Sequence, residues 1–67
     1  MDSVYKVVEI IGTSDKSWEE AAMVAVKKAS KSLRNLRVAE VVEMDMKIEE
    51  EVVFYRVKMN VSFKYED

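Results

Sequence analysis

The 67-residue chain is long enough for one domain, and its composition excludes several classes of protein. It contains neither Cys nor His, which removes disulfides, thiolate and imidazole metal ligands, and the commonest catalytic bases and nucleophiles. Its 11 basic and 13 acidic residues are interleaved and give a net charge of −2, so there is no basic stripe of the kind that binds nucleic acid.

These absences also predict what stabilises the chain. A domain this small is marginally stable alone, and only oxygen-ligated metals or self-association remain to support it. With one glycine there is no glycine-rich phosphate loop, and we do not expect an enzyme. The apolar runs are too short to cross a membrane and no signal peptide is evident, so we expect a single cytoplasmic domain over residues 1–67.

The first predicted element is a strand over Val4–Ile11, which is rich in β-branched and aromatic residues. Both of its faces are apolar, which is typical of a strand covered on both sides. The turn-forming residues at 12–15 are expected to end it. A helix from Trp18 to about Leu33 follows, with Ser17 and Glu20 in capping-box spacing and Ser14 as a competing cap.

Two strands complete the predicted order β-α-β-β. The first covers Arg37–Ile48, with Val42, Met44, Met46 and Ile48 on one face. The next three residues are all glutamate, and we expect a loose loop there because Gly and Asn are missing. The last strand then alternates through the apolar positions Val53, Tyr55, Val57, Met59, Val61, Phe63 and Tyr65.

The lengths of these elements predict self-association. A helix of about four turns spans roughly 24 Å, which is less than two strands of a dozen residues extend. Part of the apolar sheet and at least one long strand edge are therefore left uncovered. Exposed edges favour pairing with another chain, and closed symmetric assembly is the usual solution.

The residues that carry this pattern resemble the dodecins over nearly the whole chain. The similar segments are the opening SVYKVVEIIGTS at 3–14, the SWEEAA at 17–22 and the closing YRVKMNVSFK at 55–64. The resemblance implies an α+β protomer in which a three-stranded antiparallel sheet wraps around one helix. It also implies assembly of these protomers into a hollow homododecamer.

The best-known dodecins bind riboflavin or its phosphate between subunits, and the resemblance implies where that site would lie. Val38 stands at the position of the Trp that stacks on the flavin ring, Arg37 at that of an Asp that helps to hold the ribityl chain, and Arg56 at that of a Gln that binds the ring edge. Val38 cannot stack, and Arg56 only donates hydrogen bonds. We therefore do not expect tight flavin binding. Two arginines near this site suit an anion such as a phosphate ester, and the alternative is that they pair with neighbouring carboxylates in the shell.

Within the family, the chain is more similar to the calcium-binding dodecins, which also lack the stacking Trp. The similar segments are EIIGTS, SWEEAA, and RVA followed by the VVEMDM that ends at Met46. Calcium takes six to eight oxygen ligands, and Glu40, Glu43 and Asp45 are the candidate donors, with the glutamates at 49–51 as further ones. The alternative is that these acids form a solvated strand face and an acidic loop.

The sequence therefore predicts a non-catalytic oligomeric shell that binds, stores or buffers a small ligand or ion, with calcium slightly favoured. Two alternatives stay open. One is a riboflavin- or FMN-binding storage protein with an altered site, and the other is a structural assembly without a dedicated ligand. We expect the partners to be further copies of the chain, and neither nucleic acid nor a membrane.

Overall fold

The computed structural model describes residues 3–64 and confirms the β-α-β-β order. Strand β1 covers Tyr5–Ser14, helix α1 covers Trp18–Ser32, strand β2 covers Leu36–Glu49 and strand β3 covers Val52–Lys64. The predicted position of Tyr65 at the end of the last strand lies outside the described residues.

The three strands form one antiparallel sheet with β3 in the centre. Tyr5 pairs with Lys64 and Ser14 with Tyr55 in the β1–β3 ladder. On the other side, Glu49 pairs with Val52 next to the turn, and the ladder runs down to Leu36 opposite Phe63. Both β1 and β2 are therefore edge strands within the protomer, and the sequence predicted at least one such edge.

Strand β1 is longer than predicted, because the turn-forming residues 12–14 continue it instead of ending it. Gly12 is buried against α1, and a Cβ at this position would lie 2.8 Å from the Cβ of Ala25 and would also overlap the carbonyl of Ala21. The glycine is thus required for close helix–strand packing, not for a turn. From the sequence alone, a glycine required for packing cannot be distinguished from a glycine required for a turn.

Helix α1 begins as predicted and ends one residue earlier. The Ser17 hydroxyl accepts a hydrogen bond from the Glu20 backbone N–H at 3.0 Å, which makes Ser17 the N-cap. Ser14 is not a competing cap, since its hydroxyl accepts from the Lys16 N–H in the preceding turn. At the other end, the Leu33 N–H donates to the Ala29 carbonyl at 2.8 Å and closes the last turn.

Strand β2 departs from simple alternation at two bulges, which leave Arg37 and Val42 without partners on β3. The register places Val41 opposite the buried Met59, so Val41 takes the place predicted for Val42 on the face of Met44. The prediction of a loose loop at 49–51 is wrong. Residues 50–51 form a two-residue connection, and Glu50 adopts a left-handed φ of 54° that a glycine would adopt more readily.

The core lies where α1 covers the centre of the sheet. Its buried side chains are those of Ala21, Ala25, Val57, Met59 and Val61. Small alanines on the helix and the larger residues of β3 let the two elements approach closely. The one helix within residues 3–64 is neither long nor apolar enough to cross a membrane.

Candidate functional site

The sheet has two faces, which we call the inner face, toward α1, and the outer face, away from it. On β3 the inner face carries Val57 and Met59, and the outer face carries the alternate polar residues such as Arg56 and Lys58. By register, the three predicted calcium donors all lie on the outer face. They are Glu40, Glu43 and Asp45, which pair with Asn60, Lys58 and Arg56 respectively.

Asp45 and Arg56 form the tightest side-chain contact on this outer face. Arg56 Nε donates to Oδ1 of Asp45 at 2.7 Å, and Arg56 Nη2 donates to Oδ2 at 2.8 Å. This two-point hydrogen bond lowers the pKa of Asp45 and raises that of Arg56. Both oxygens of Asp45 are therefore engaged by a cation, which weakens Asp45 as a metal ligand.

Asp45 also accepts a hydrogen bond from the inner face, through its backbone carbonyl. The Trp18 indole Nε1 donates to the Asp45 backbone carbonyl at 3.4 Å, and the Trp18 and Tyr55 rings form a T-shaped contact with their centroids 4.9 Å apart. The sequence placed Trp18 at the helix start but did not predict this link to β2. A tryptophan in the first turn beside a long hairpin is the one signal that could have suggested it.

The other two predicted donors are less engaged. Glu43 Oε1 lies 4.0 Å from Lys58 Nζ, a loose and exposed ion pair. Glu40 stands opposite Asn60, and Glu9 of β1 stands on the other side of the same Asn60. Among the ion pairs of residues 3–64, none involves Glu9 or Glu40. This cross-strand row therefore places two carboxylates on either side of an amide, with no ion pair to either carboxylate among residues 3–64.

One protomer does not assemble a complete metal cage. Within the part of the chain that the structure describes, no three Asp or Glu side chains come together as metal ligands. Successive outer-face positions on a strand are nearly 7 Å apart, so Glu40, Glu43 and Asp45 follow one another along β2 without converging. Six to eight oxygens around one calcium would need water or a second subunit.

The three positions that the sequence resemblance assigns to a flavin site are also separated. Arg37 and Val38 line a shallow hollow of about 150 Å³ together with Val26, Leu36, Ala39 and Val61. Val38 pairs with Ser62, whereas Arg56 lies six residues away on β3, roughly 20 Å along the strand. A single ligand could contact both regions only between subunits. Arg56 is moreover already paired with Asp45, which disfavours the joint anion site suggested for the two arginines.

Within residues 3–64, a small sheet that packs one helix, leaves two of its three strands as edges and exposes many large apolar side chains is typical of the class of proteins that assemble with further copies of themselves. Comparison with known proteins identifies the family within that class. The family model described as Dodecin matches residues 4–66. The chain therefore belongs to the dodecin family, as the sequence motifs predicted. Dodecins bind ligands without catalysing a reaction, and the family forms dodecamers.

Relatives and solved structures agree with this assignment. Calcium dodecin from Mycobacterium tuberculosis is 52% identical, with 92% of this chain and 89% of that protein covered. Dodecin from Thermus thermophilus is 41% identical, with 100% and 99% covered. The crystal structure of the calcium-chelating M. tuberculosis protein, described with a novel calcium-binding site, superposes with a TM-score of 0.88 at 51% identity over 96% of this chain and 93% of that one.

Proposed function

We propose that this protein is a calcium-binding dodecin, whose protomers close into a homododecameric shell that stores or buffers the ion in the cytoplasm. The likeness to calcium dodecin favours the ion, and the cysteine-free composition fits a compartment without disulfides. The observation that carries the proposal is the unneutralised row of Glu9, Asn60 and Glu40 on the outer face.

The chemistry of this row suits a hard divalent cation. Two carboxylates and one amide oxygen lie side by side on three adjacent strands, about 4.8 Å apart from strand to strand. Calcium accepts such ligands in flexible geometry and completes its shell with water or carbonyl oxygens. A cation in this row would also offset the mutual repulsion of Glu9 and Glu40 across the sheet.

The three sequence-predicted donors are thus unequal in this proposal. Glu40 belongs to the oxygen-rich row, Glu43 faces Lys58, and Asp45 is occupied by Arg56. We expect Glu40 to be the principal donor of the three. Asp45 would contribute only after its two hydrogen bonds to Arg56 are broken, and metal binding would then have to compete with them.

Calcium titration calorimetry tests the proposal directly. We expect the wild-type protein to bind calcium with measurable heat and Glu40→Gln to weaken binding by about tenfold or more, because one charged ligand is lost. The matched control is Glu19→Gln, an exposed glutamate in the first turn of α1. The calcium proposal fails if the wild type gives no heat, and the donor assignment fails if Glu40→Gln binds as tightly as the control.

A structural assembly without a dedicated ligand is the second candidate, and the apolar inner face of β2 favours it. Val41, Met44, Met46 and Ile48 are all exposed in the protomer and require only a partner chain, not a ligand. Light scattering and the calorimetry together separate the two functions. An assembled protein that binds neither calcium nor flavin, the latter detected by a yellow colour after incubation, would support the structural function.

A further inference from the structure

The β2–β3 hairpin extends beyond the rest of the protomer. Strand β1 ends at Ser14, opposite Tyr55, so residues 47–54 have no strand beside them on the β1 side. Helix α1 begins near the same level, since Trp18 contacts Tyr55. We call residues 47–54 the projecting hairpin, and its three paired rows extend roughly 10 Å past the end of β1.

This projecting hairpin combines an apolar face with an acidic tip. Ile48 and Val53 pair on the inner face, and Ile48 is 68% exposed, the highest value among the large apolar side chains that the structure describes. The tip carries Glu49, Glu50 and Glu51, of which only Glu49 forms an ion pair, to Lys47 at 2.8 Å, within residues 3–64. The hairpin therefore presents an uncovered apolar surface that ends in uncompensated negative charge.

A surface with the opposite properties lies on the same protomer, between α1 and the part of β1 that pairs with residues 56–59. A groove of about 580 Å³ runs between α1 and β1, and we call it the α1–β1 groove. Its apolar walls include Ile10, Val24 and Leu33, and Lys28 stands at its rim. The C-terminal part of α1 and the turn after it add the cations Lys27, Lys31 and Arg34, with no acidic residue between positions 27 and 34.

We infer that the projecting hairpin of one copy of this chain docks into the α1–β1 groove of the next copy. The inference rests on the proposed shell and identifies one contact that closes it. The apolar face of the hairpin would enter the groove, and its glutamates would lie against the cations of the last turns of α1. Charge complementarity specifies the pairing, because hairpin against hairpin or groove against groove would bring like charges together.

Such a contact is heterologous, since each copy uses one surface on the preceding copy and a different surface on the following one. Heterologous contacts close into rings when the rotation between copies permits. Hairpin-to-groove docking therefore predicts cyclic groups of protomers within the shell, not isolated twofold pairs. It also explains why the hairpin is apolar on a face that its own helix is too short to reach.

Disulfide trapping tests the contact, because the chain has no cysteine of its own. In the assembled protein, we expect Glu50→Cys combined with Lys28→Cys to give covalent species larger than dimers on a non-reducing gel after mild oxidation. Each single variant is expected to give no crosslink. A covalent dimer from Glu50→Cys alone would overturn the inference in favour of a hairpin–hairpin contact.

Charge exchange provides an independent readout by light scattering. We expect Glu50→Lys/Glu51→Lys and Lys28→Glu/Lys31→Glu each to lose the assembled species at low micromolar concentration, and a mixture of the two to regain it. Lys16→Glu, in the exposed turn before α1, is the control. If both charge variants assemble like the wild type, the docking inference is wrong while the proposed shell stands. A monomeric wild type would overturn both.

Discussion

The two halves of the inner face differ in what covers them. Beneath α1, the sheet is buried against alanines of the same chain, and Val57, Met59 and Val61 are almost completely inaccessible. Along β2 and its end in the projecting hairpin, the inner-face residues Val41, Met44, Met46 and Ile48 are half exposed or more. The residues are similar, but the helix reaches only one of the two regions.

The difference follows from element length. Helix α1 has 15 residues and spans about 22 Å, whereas the 14 residues of β2 extend roughly 46 Å. One region therefore completes its core within the chain, and the other can do so only with another chain. Folding of the protomer and assembly of the shell should accordingly respond to different substitutions.

The helix-covered region should be the more sensitive to a buried charge. Val57→Lys places an ammonium group in a site that is 1% exposed, and we expect a loss of at least about 4 kcal/mol, enough to unfold so small a domain. Circular dichroism would measure the loss of structure. Ser62→Lys, on the outer face of the same strand, should fold normally, and a folded Val57→Lys variant would contradict the face assignment.

Gly12→Ala should have the next largest effect. The added methyl group would meet the backbone of Ala21 and the Cβ of Ala25, so α1 and β1 would have to separate. We expect a decrease of about 3 kcal/mol in the free energy of unfolding, measured by denaturant titration. The exposed neighbour provides the control, since Thr13→Ala should change the free energy of unfolding by less than about 0.5 kcal/mol. Equal effects would mean that the close contact is unimportant.

Substitutions in the uncovered region should change the assembly of the shell and not the fold of the protomer. Ile48→Lys replaces an exposed apolar side chain of the projecting hairpin. The free-energy cost of burying the lysine therefore arises only when another chain covers that surface. We expect the mass measured by light scattering to fall while the circular dichroism spectrum stays similar. Ile48→Val should retain the assembled mass. An intact shell in Ile48→Lys would show that the hairpin face stays exposed after assembly.

How far the sequence predicted the structure depends on which interactions determine each feature. The element order, the Ser17 cap and the apolar face of β3 were predicted correctly, because local spacing and alternation determine them. The extent of β1 was underestimated and the 49–51 loop was wrong. Gly12 serves packing rather than a turn, and Glu50 adopts a left-handed conformation that the sequence gives little reason to expect.

The candidate site was predicted less completely because it depends on register between strands. The residue types at 40, 43 and 45 indicated a cation site, but two bulges in β2 decide which basic residues lie opposite them. Pairing of Asp45 with Arg56, and the position of Glu9 beside Asn60, became visible only with the β1–β3–β2 order. A tertiary arrangement of this kind leaves no local pattern in the sequence.

The smallest expected effect concerns the Asp45–Arg56 pair, which joins β2 to β3 where the covered region gives way to the projecting hairpin. Because the pKa of Asp45 is lowered in the folded state, the pair stabilises the protein fully above the ordinary value of 3.8. This contribution is lost as the pH falls from that value through the lower folded pKa. We expect Asp45→Asn to be slightly less stable than the wild type at neutral pH and to converge with it in acid. Parallel pH profiles of the free energy of unfolding for the two proteins would contradict this.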